Sequence, residues 1–157
     1  MGKRTQESKG CNTIRVTTSH DQTTEEGYQW LIGQIRKIPK TIPILLWGSI
    51  PCTGGTLWAR YNLRRYPETF PKRLRRLRAE WRILTYNFFR VSSIIQQRQG
   101  HWVIEWPSRC SYWDSPNVTQ FFRTQKVHIY IYISGKGDRM CFWFKGNLRT
   151  PSRLSHV

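Results

Sequence analysis

Two residues capable of chemistry, a thiol and a carboxylate, lie at the carboxyl ends of two predicted strands. Cys52 comes just after the apolar run Ile44–Ile50, and Glu105 lies near the end of the predicted strand His101–Trp106. A cysteine acts as a nucleophile once it is ionised to the thiolate. In open α/β sheets, sites form beyond the carboxyl ends of the strands. One strand–helix–strand unit separates the two residues, so parallel pairing of the strands is expected to bring them to the same edge.

Each residue also has a purely structural interpretation. A cysteine at a strand end is commonly a small buried apolar side chain, and Glu105 can form a salt bridge with an arginine. The four histidines are scattered, none pairs with Cys52 by sequence, and no G-x-S-x-G or H-E-x-x-H motif is present. The cysteines have long gaps between them and do not match zinc-site spacing, so no metal is expected. They are Cys11, Cys52, Cys110 and Cys141.

The segment Ile50-Pro51-Cys52 after an apolar strand resembles the Pro-Cys motif of the cytosine-5 DNA methyltransferases. Val103-Ile104-Glu105 resembles the later Glu-Asn-Val motif of that family, and the order of the motifs with a helix between them is also similar. The resemblance implies that Cys52 attacks C6 of a flipped-out cytosine and that Glu105 contacts N3 of the base. The same two segments are also similar to uncharacterised open reading frames of repetitive mobile elements.

The resemblance covers the middle of the chain and lacks the cofactor half. Thr53-Gly54-Gly55 and Trp106-Pro107 replace the residues that usually follow the two motifs, and there is no Gln-x-Arg-x-Arg element. No Gly-rich Phe-x-Gly-x-Gly loop precedes Cys52. We therefore expect no cofactor for the isolated chain, and S-adenosylmethionine only if the enzyme interpretation holds. A second chain or a missing segment would then supply the cofactor half.

The chain is strongly basic, with 26 Lys and Arg against 9 Asp and Glu in 157 residues, a net charge of +17. Such a balance favours polyanionic partners, DNA or RNA, although a role in solubility and compositional drift are alternatives. Many of the cations crowd one segment in which Tyr61, Tyr66 and Phe70 are interleaved; a solvated helix face or a polybasic membrane surface would have the same composition. The candidate nucleic-acid-binding residues are Arg60, Arg64, Arg65, Lys72, Arg73, Arg75, Arg76, Arg78 and Arg82.

The elements that must position these residues alternate between strand and helix. The N-terminal patterns predict a strand over Asn12–Thr18, a helix capped by Thr23 and closed by Pro39, and a strand within Ile42–Ile50 that is buried on both faces. Leu57–Pro71 is expected to be irregular. An apolar stripe with spacings of three and four predicts a long helix that stops at Gly100. The stripe comprises Leu74, Leu77, Trp81, Leu84, Phe88, Val91 and Ile95. The remaining predictions are a strand His101–Trp106, a helix from Pro116 to about Thr124, and a hairpin of Val127–Ser134 with Arg139–Lys145.

This order predicts one α/β domain with a Rossmann-like, mostly parallel sheet, flanking helices and a C-terminal hairpin, incomplete relative to a methyltransferase. The expected division is a disordered lead-in over 1–12, the α/β domain over 13–145 and an unstructured tail over 146–157. No apolar run approaches the ~20 residues of a membrane span and no signal peptide is visible, so an intracellular location is expected, nuclear or cytoplasmic.

The function expected from these features is that of a basic nucleic-acid-binding α/β domain that resembles a degenerate or partial cytosine-5 methyltransferase and is inactive alone. Two alternatives stay open at this point. One is an active methyltransferase-like enzyme that uses Cys52 and Glu105, and the other is a non-functional open reading frame.

Overall fold

The computed structural model describes residues 11–125, 127–133 and 139–144, with side chains up to Val127. The chain divides into two compact units, Met1–Pro39 and Lys40–Val157. The expected tail over 146–157 and all but the last two residues of the expected lead-in lie outside the described residues. No helix in the described part of the chain is long and apolar enough to cross a membrane.

The first unit contains a short 3₁₀ turn, Thr18–His20, and helix α1, Glu25–Lys37. The N-cap of α1 is Thr24, whose hydroxyl accepts a hydrogen bond from the Gly27 N–H at 3.1 Å. The prediction of Thr23 as the cap was wrong by one residue, because the Thr23 N–H and hydroxyl both donate to the Asp21 carboxylate at 2.8 Å. Two neighbouring threonines offer the same capping group, and the turn at Asp21 decides between them.

The predicted strand Asn12–Thr18 is absent, and residues 11–17 have no regular structure. Ile14 and Val16, the apolar members of its alternating pattern, are 44% and 38% exposed. A β-branched, alternating pattern favours extended backbone, but a strand also needs a neighbouring strand for its hydrogen bonds. Within the described residues this segment pairs with none, since the sheet of the chain is built from other segments.

The second unit is built around a four-stranded sheet with the order β1-β2-β4-β3. Its strands are β1 (Leu45–Gly48), β2 (His101–Pro107), β3 (His128–Ile133) and β4 (Arg139–Phe144). Strands β1 and β2 are parallel, whereas β2–β4 and β4–β3 are antiparallel. The prediction of a C-terminal hairpin is confirmed by the β3–β4 pair, although its turn lies outside the described residues. The described sheet is mixed rather than mostly parallel, because the hairpin joins β2 through its second strand.

Strand β1 lies at the edge of the sheet and is shorter than the apolar run that contains it. Leu45 and Trp47 are 59% and 51% exposed, whereas Gly48 is buried. The expectation of burial on both faces was therefore wrong. A continuous apolar run is typical of a central parallel strand, but an edge strand can carry the same residues with one face open.

Two helices follow β1. Helix α2 spans Leu57–Arg65, with the Thr56 hydroxyl accepting from the Ala59 N–H at 3.4 Å, and corrects the prediction of an irregular segment over Leu57–Pro71. The prolines that suggested irregularity flank the helices instead of interrupting them. Pro67 lies beyond the end of α2, and Pro71 lies in the first turn of α3, where proline is tolerated because its missing N–H would be unpaired anyway.

Helix α3 spans Phe70–Gln97 and confirms the predicted apolar stripe. Val91 and Ile95 are each 1% exposed, and Trp81 is 7% exposed. Trp81 and Phe88 of α3 join a cluster with the side chains of one face of β2, namely Trp102, Ile104 and Trp106. Helix α4, Pro116–Gln125, adds Val118 and Phe122 to this cluster and begins at the predicted proline. The core of the second unit is therefore an aromatic layer between β2 and the two helices.

Candidate functional site

Cys52 lies where the chain leaves β1 and enters a 3₁₀ turn, Thr53–Gly55. Its carbonyl accepts a hydrogen bond from the Gly55 N–H at 2.8 Å. The indole N–H of Trp106 donates to the Ile50 carbonyl at 2.8 Å and ties this segment to β2. The Cys52 side chain is half-buried and packs against the aromatic core cluster. The predicted nucleophile therefore lies at the core side of the sheet.

Glu105 has different surroundings. Its carboxylate accepts a hydrogen bond from the Ser49 hydroxyl at 3.0 Å, and the indole N–H of Trp47 donates to the Ser49 hydroxyl at 3.2 Å. Successive side chains of a strand point to opposite faces, and Ile104 and Trp106 on either side of Glu105 belong to the core cluster. Glu105 therefore projects away from the face against which Cys52 packs.

Parallel pairing of β1 and β2 brings Cys52 and Glu105 to the same end of the sheet, as the sequence predicts, but not to the same face. Among the described residues no hydrogen bond joins the two side chains, and Glu105 makes its hydrogen bond to Ser49. The described geometry thus brings each residue to the expected edge without assembling them into one site.

The neighbours of Cys52 are groups that sequence analysis did not single out. Cys110 is 3% exposed and Tyr112 is 5% exposed, and a negative charge on Cys52 contributes to raising the pKa of both groups. The Tyr112 ring stacks on Trp81 with centroids 3.8 Å apart. Among the described residues the Tyr112 hydroxyl has no hydrogen-bond partner. No sequence signal points to this grouping, because two helices and a strand separate Cys110 from Cys52 along the chain.

The environment of these groups favours their neutral forms. Burial raises the pKa of the Cys52 thiol, and its own backbone hydrogen bond opposes the shift only in part. Burial likewise raises the pKa of Cys110 to about 11 and that of Tyr112 to about 12. Arg78 and Arg82 lower the Tyr112 pKa, but burial outweighs them. Burial of Cys52 therefore favours the protonated thiol, whereas covalent attack on a base requires a thiolate.

The cations singled out from the sequence lie on α2 and on the first turns of α3, and each of them is exposed. We call this set the basic surface. Between Leu57 and Arg82 the chain has two carboxylates, Glu68 and Glu80, against nine cations. Within the described residues one ion pair involves the set, Arg76 with Glu80 at 3.6 Å, and both side chains are at least half exposed. Such a pair is worth little, so the positive charge of the basic surface is largely uncompensated. The members are Arg60, Arg64, Arg65, Lys72, Arg73, Arg75, Arg76, Arg78 and Arg82.

The aromatic side chains that alternate with the cations differ in their roles. The Arg65 guanidinium donates to the hydroxyls of Tyr61 and Tyr66, each at 3.1 Å, and lies 5.7 Å from the Tyr66 ring centroid. These two tyrosines therefore hold one arginine in place. Phe70 is half-buried, where the sequence pattern alone suggested an exposed ring.

A small groove opens beside α2 and α3, with a cavity volume of about 80 Å³. The most exposed large apolar side chain in the described part of the chain, Trp58, stands at this groove with 72% of its surface open. Trp58 was not among the predicted site residues, because it lies on α2, in a segment that was expected to be irregular. The groove is lined by Thr53, Thr56, Trp58, Ala59, Asn62, Phe70, Arg73 and Leu77.

No group of three or more metal-ligating side chains occurs among the described residues. The described geometry therefore offers two features of interest, a half-buried thiol at the core side of the sheet and a basic surface with an exposed tryptophan. Comparison of the chain with protein-family models, with curated proteins and with solved structures found no match.

Proposed function

We propose that the chain is a basic nucleic-acid-binding α/β protein whose basic surface contacts the phosphates of DNA or RNA. The observation that carries this proposal is the exposure of all nine cations on two neighbouring helices, against two carboxylates in the same segment. Uncompensated cations on one surface attract a polyanion, and each contact with a phosphate releases a counterion.

The arrangement along α3 supports contact with a phosphate chain. Arg75, Arg78 and Arg82 recur at spacings of three and four residues, so they form a row of about 10 Å along one side of the helix. Eight of the nine cations are arginines, whose planar guanidinium groups bind phosphate through two parallel hydrogen bonds. Contacts of this kind hold the backbone and carry no information about base sequence.

The methyltransferase-like part of the hypothesis has weaker support. The parallel pair of β1 and β2, connected through α2 and α3, with Cys52 beyond β1 and Glu105 near the end of β2, is what a Rossmann-like remnant of such an enzyme would retain. However, Cys52 and Glu105 lie on opposite faces, and burial raises the Cys52 pKa. We therefore propose a binding role for the isolated chain and keep catalysis by Cys52 as the alternative.

A salt titration of binding tests the proposal. If about six phosphates of a duplex are neutralised, log K falls with log salt with a slope near −0.9 × 6, roughly −5. Exchange of Arg73, Arg75, Arg76 and Arg78 together for Gln should flatten the slope by about 3.6, that is 0.9 for each lost contact. The measurement is fluorescence anisotropy of a labelled duplex between about 50 and 300 mM salt, the range over which such contacts lose their strength.

A matched variant separates the basic surface from net charge. Arg15, Arg36, Lys37 and Lys40 are also exposed and carry the same total charge, but they lie outside the basic surface. Their exchange for Gln should leave the slope within about one unit of the parent. Equal slopes for all three proteins would show that the charge acts elsewhere, and no binding by the parent at low salt would overturn the proposal.

A further inference from the structure

The exposure of Trp58 is unusual for a tryptophan. Four other tryptophans pack in or against the buried core cluster, namely Trp81, Trp102, Trp106 and Trp113. Trp58, in contrast, keeps 72% of its surface exposed. The ring of Tyr61 meets it edge-on with centroids 5.8 Å apart at 86°, which supports one side of the indole. A large, supported and open aromatic ring is the shape of a stacking platform.

The groove beside Trp58 provides polar groups and charge for a nucleotide. Arg73 of the basic surface lines it together with Thr53, Thr56 and Asn62. The Thr56 hydroxyl is tied to the Thr53 carbonyl at 3.2 Å and caps α2, so the turn below Trp58 is held in place. A ring that stacks on Trp58 therefore has Arg73 in the lining of the same groove as a partner for the attached phosphate.

An exposed tryptophan ring next to a cation favours single strands of nucleic acid over duplexes. Bases in a duplex are already stacked on their neighbours, so an exposed ring on a helix surface gains little from them. Unpaired bases each offer a free π-face, and their stacking on aromatic side chains is tolerant of sequence. Charge complementarity between the basic surface and a phosphate chain brings the strand to this ring.

We propose that Trp58 and the groove next to it form a nucleobase-stacking site that gives the chain a preference for single-stranded nucleic acid. One base stacks on the Trp58 indole and its phosphate is held by Arg73. This inference rests on the proposed function, because the basic surface supplies most of the affinity. Trp58 supplies selectivity for strands with unpaired bases.

The test uses three labelled probes at one low salt concentration: a 12-nucleotide thymidine strand, an abasic strand of the same length, and a 12-base-pair duplex. We expect the parent to bind the thymidine strand about tenfold more tightly than the abasic strand, which has the phosphates without the bases. Trp58→Ala should abolish this ratio and leave affinity for the duplex within about twofold. Trp58→Phe should restore part of the ratio, because a phenyl ring also stacks.

Tyr86→Ala is the matched control, since Tyr86 is 64% exposed on α3 and does not line the groove. It should leave all three affinities unchanged. Equal binding of the thymidine and abasic strands by the parent would overturn the stacking site and leave the proposed function standing. Failure of every probe to bind at low salt would overturn both.

Discussion

Cys52, Cys110 and Tyr112 share one property: burial disfavours the ionised form of each side chain. The pKa of the Cys52 thiol, of the Cys110 thiol and of the Tyr112 phenol is raised mainly by loss of solvent. The same burial that weakens Cys52 as a nucleophile makes the stability of the second unit sensitive to alkaline pH.

Cys52 should therefore react slowly with iodoacetamide at neutral pH. The thiolate is the reacting species, and a raised pKa reduces its fraction, so the rate should climb steadily as the pH passes 9. Cys11, an exposed thiol of the same chain, is the internal reference and should be alkylated faster at pH 8. Peptide mass spectrometry measures both rates in one sample. Faster alkylation of Cys52 than of Cys11 would favour the enzyme alternative.

Stability should fall at alkaline pH because of Cys110 and Tyr112. Burial raises the pKa of Cys110 from 9.0 to about 11, and that of Tyr112 from 10.0 to about 12. The native state holds each proton more tightly than the unfolded state, so the contribution is fully present below pH 9 and is lost as the pH rises to 12. Urea midpoints measured from pH 8 to 12 should show this decline. Cys110→Ala should make the decline between pH 9 and 11 shallower, and an unchanged decline would contradict the assignment.

Tyr112→Phe tests the buried hydroxyl at neutral pH. This group lacks a hydrogen-bond partner among the described residues, so its removal should leave the free energy of unfolding unchanged or raise it by about 1 kcal/mol. Tyr112→Leu, which loses the stacking on Trp81, should instead cost roughly 1–3 kcal/mol. Urea denaturation at pH 7 distinguishes the two. A clear loss of stability for Tyr112→Phe would mean that the hydroxyl is bonded.

Among the elements, α3 contributes to both the core and the surface of the second unit. Its apolar stripe packs against β2, and its polar sides carry six members of the basic surface. One helix thus joins the core to the candidate interface. Arg78 shows the connection directly, since its guanidinium donates to the Gly54 carbonyl at 3.4 Å in the turn that follows Cys52. Changes on the stripe should alter folding, whereas changes at residues of the polar sides other than Arg78 should alter binding.

Trp81→Ala should lower the free energy of unfolding by about 3–5 kcal/mol, because Trp81 is 7% exposed and stacks on Tyr112 in the core cluster. Tyr86→Ala removes an exposed ring from the same helix and should change stability by about 0.5 kcal/mol or less. Chemical denaturation followed by circular dichroism measures both. An unchanged midpoint for Trp81→Ala would contradict the packing of α3 on β2.

At the scale of the whole molecule, the dominant property is a net charge of +17. Self-repulsion at this charge favours solubility and opposes compaction, so a bound polyanion should stabilise the native state. Binding of a cofactor also depends on the whole chain. The methyl donor S-adenosylmethionine needs a Gly-rich binding loop, and the sequence contains none upstream of Cys52.

The isolated chain should not bind S-adenosylmethionine appreciably. The resemblance to cytosine-5 methyltransferases lacks the Gly-rich loop that would hold this cofactor, and neither Cys52 nor Glu105 replaces it. Isothermal titration calorimetry should show no saturable heat at micromolar concentrations, and the inert analogue adenosine serves as the control. Saturable micromolar binding would raise the enzyme alternative above the binding role.

The sequence by itself determined the features that depend on local spacing. The stripe from Leu74 to Ile95 predicted α3, and Ser115-Pro116 marked the beginning of α4, because helical periodicity and capping act over a few residues. The alternating run before Gly135 predicted the hairpin strand β3. The cations between Arg60 and Arg82 also follow from the sequence alone, since charged side chains of this density are seldom buried.

Only the tertiary structure decided which faces and edges the elements occupy. The apolar run before Cys52 is compatible with a central or an edge strand, and the attachment of β4 to β2 left it at the edge. Side chains alternate between the two faces of the sheet along β2, so a shift of one residue moves a side chain to the other face. The apolar pattern of the strand predicted that Glu105 lies near the end of β2, but it did not predict which face Glu105 occupies relative to Cys52. Helix α2 and the exposure of Trp58 likewise became visible only in the structure, because Pro67 and Pro71, which suggested an irregular segment, flank the helices instead of interrupting them.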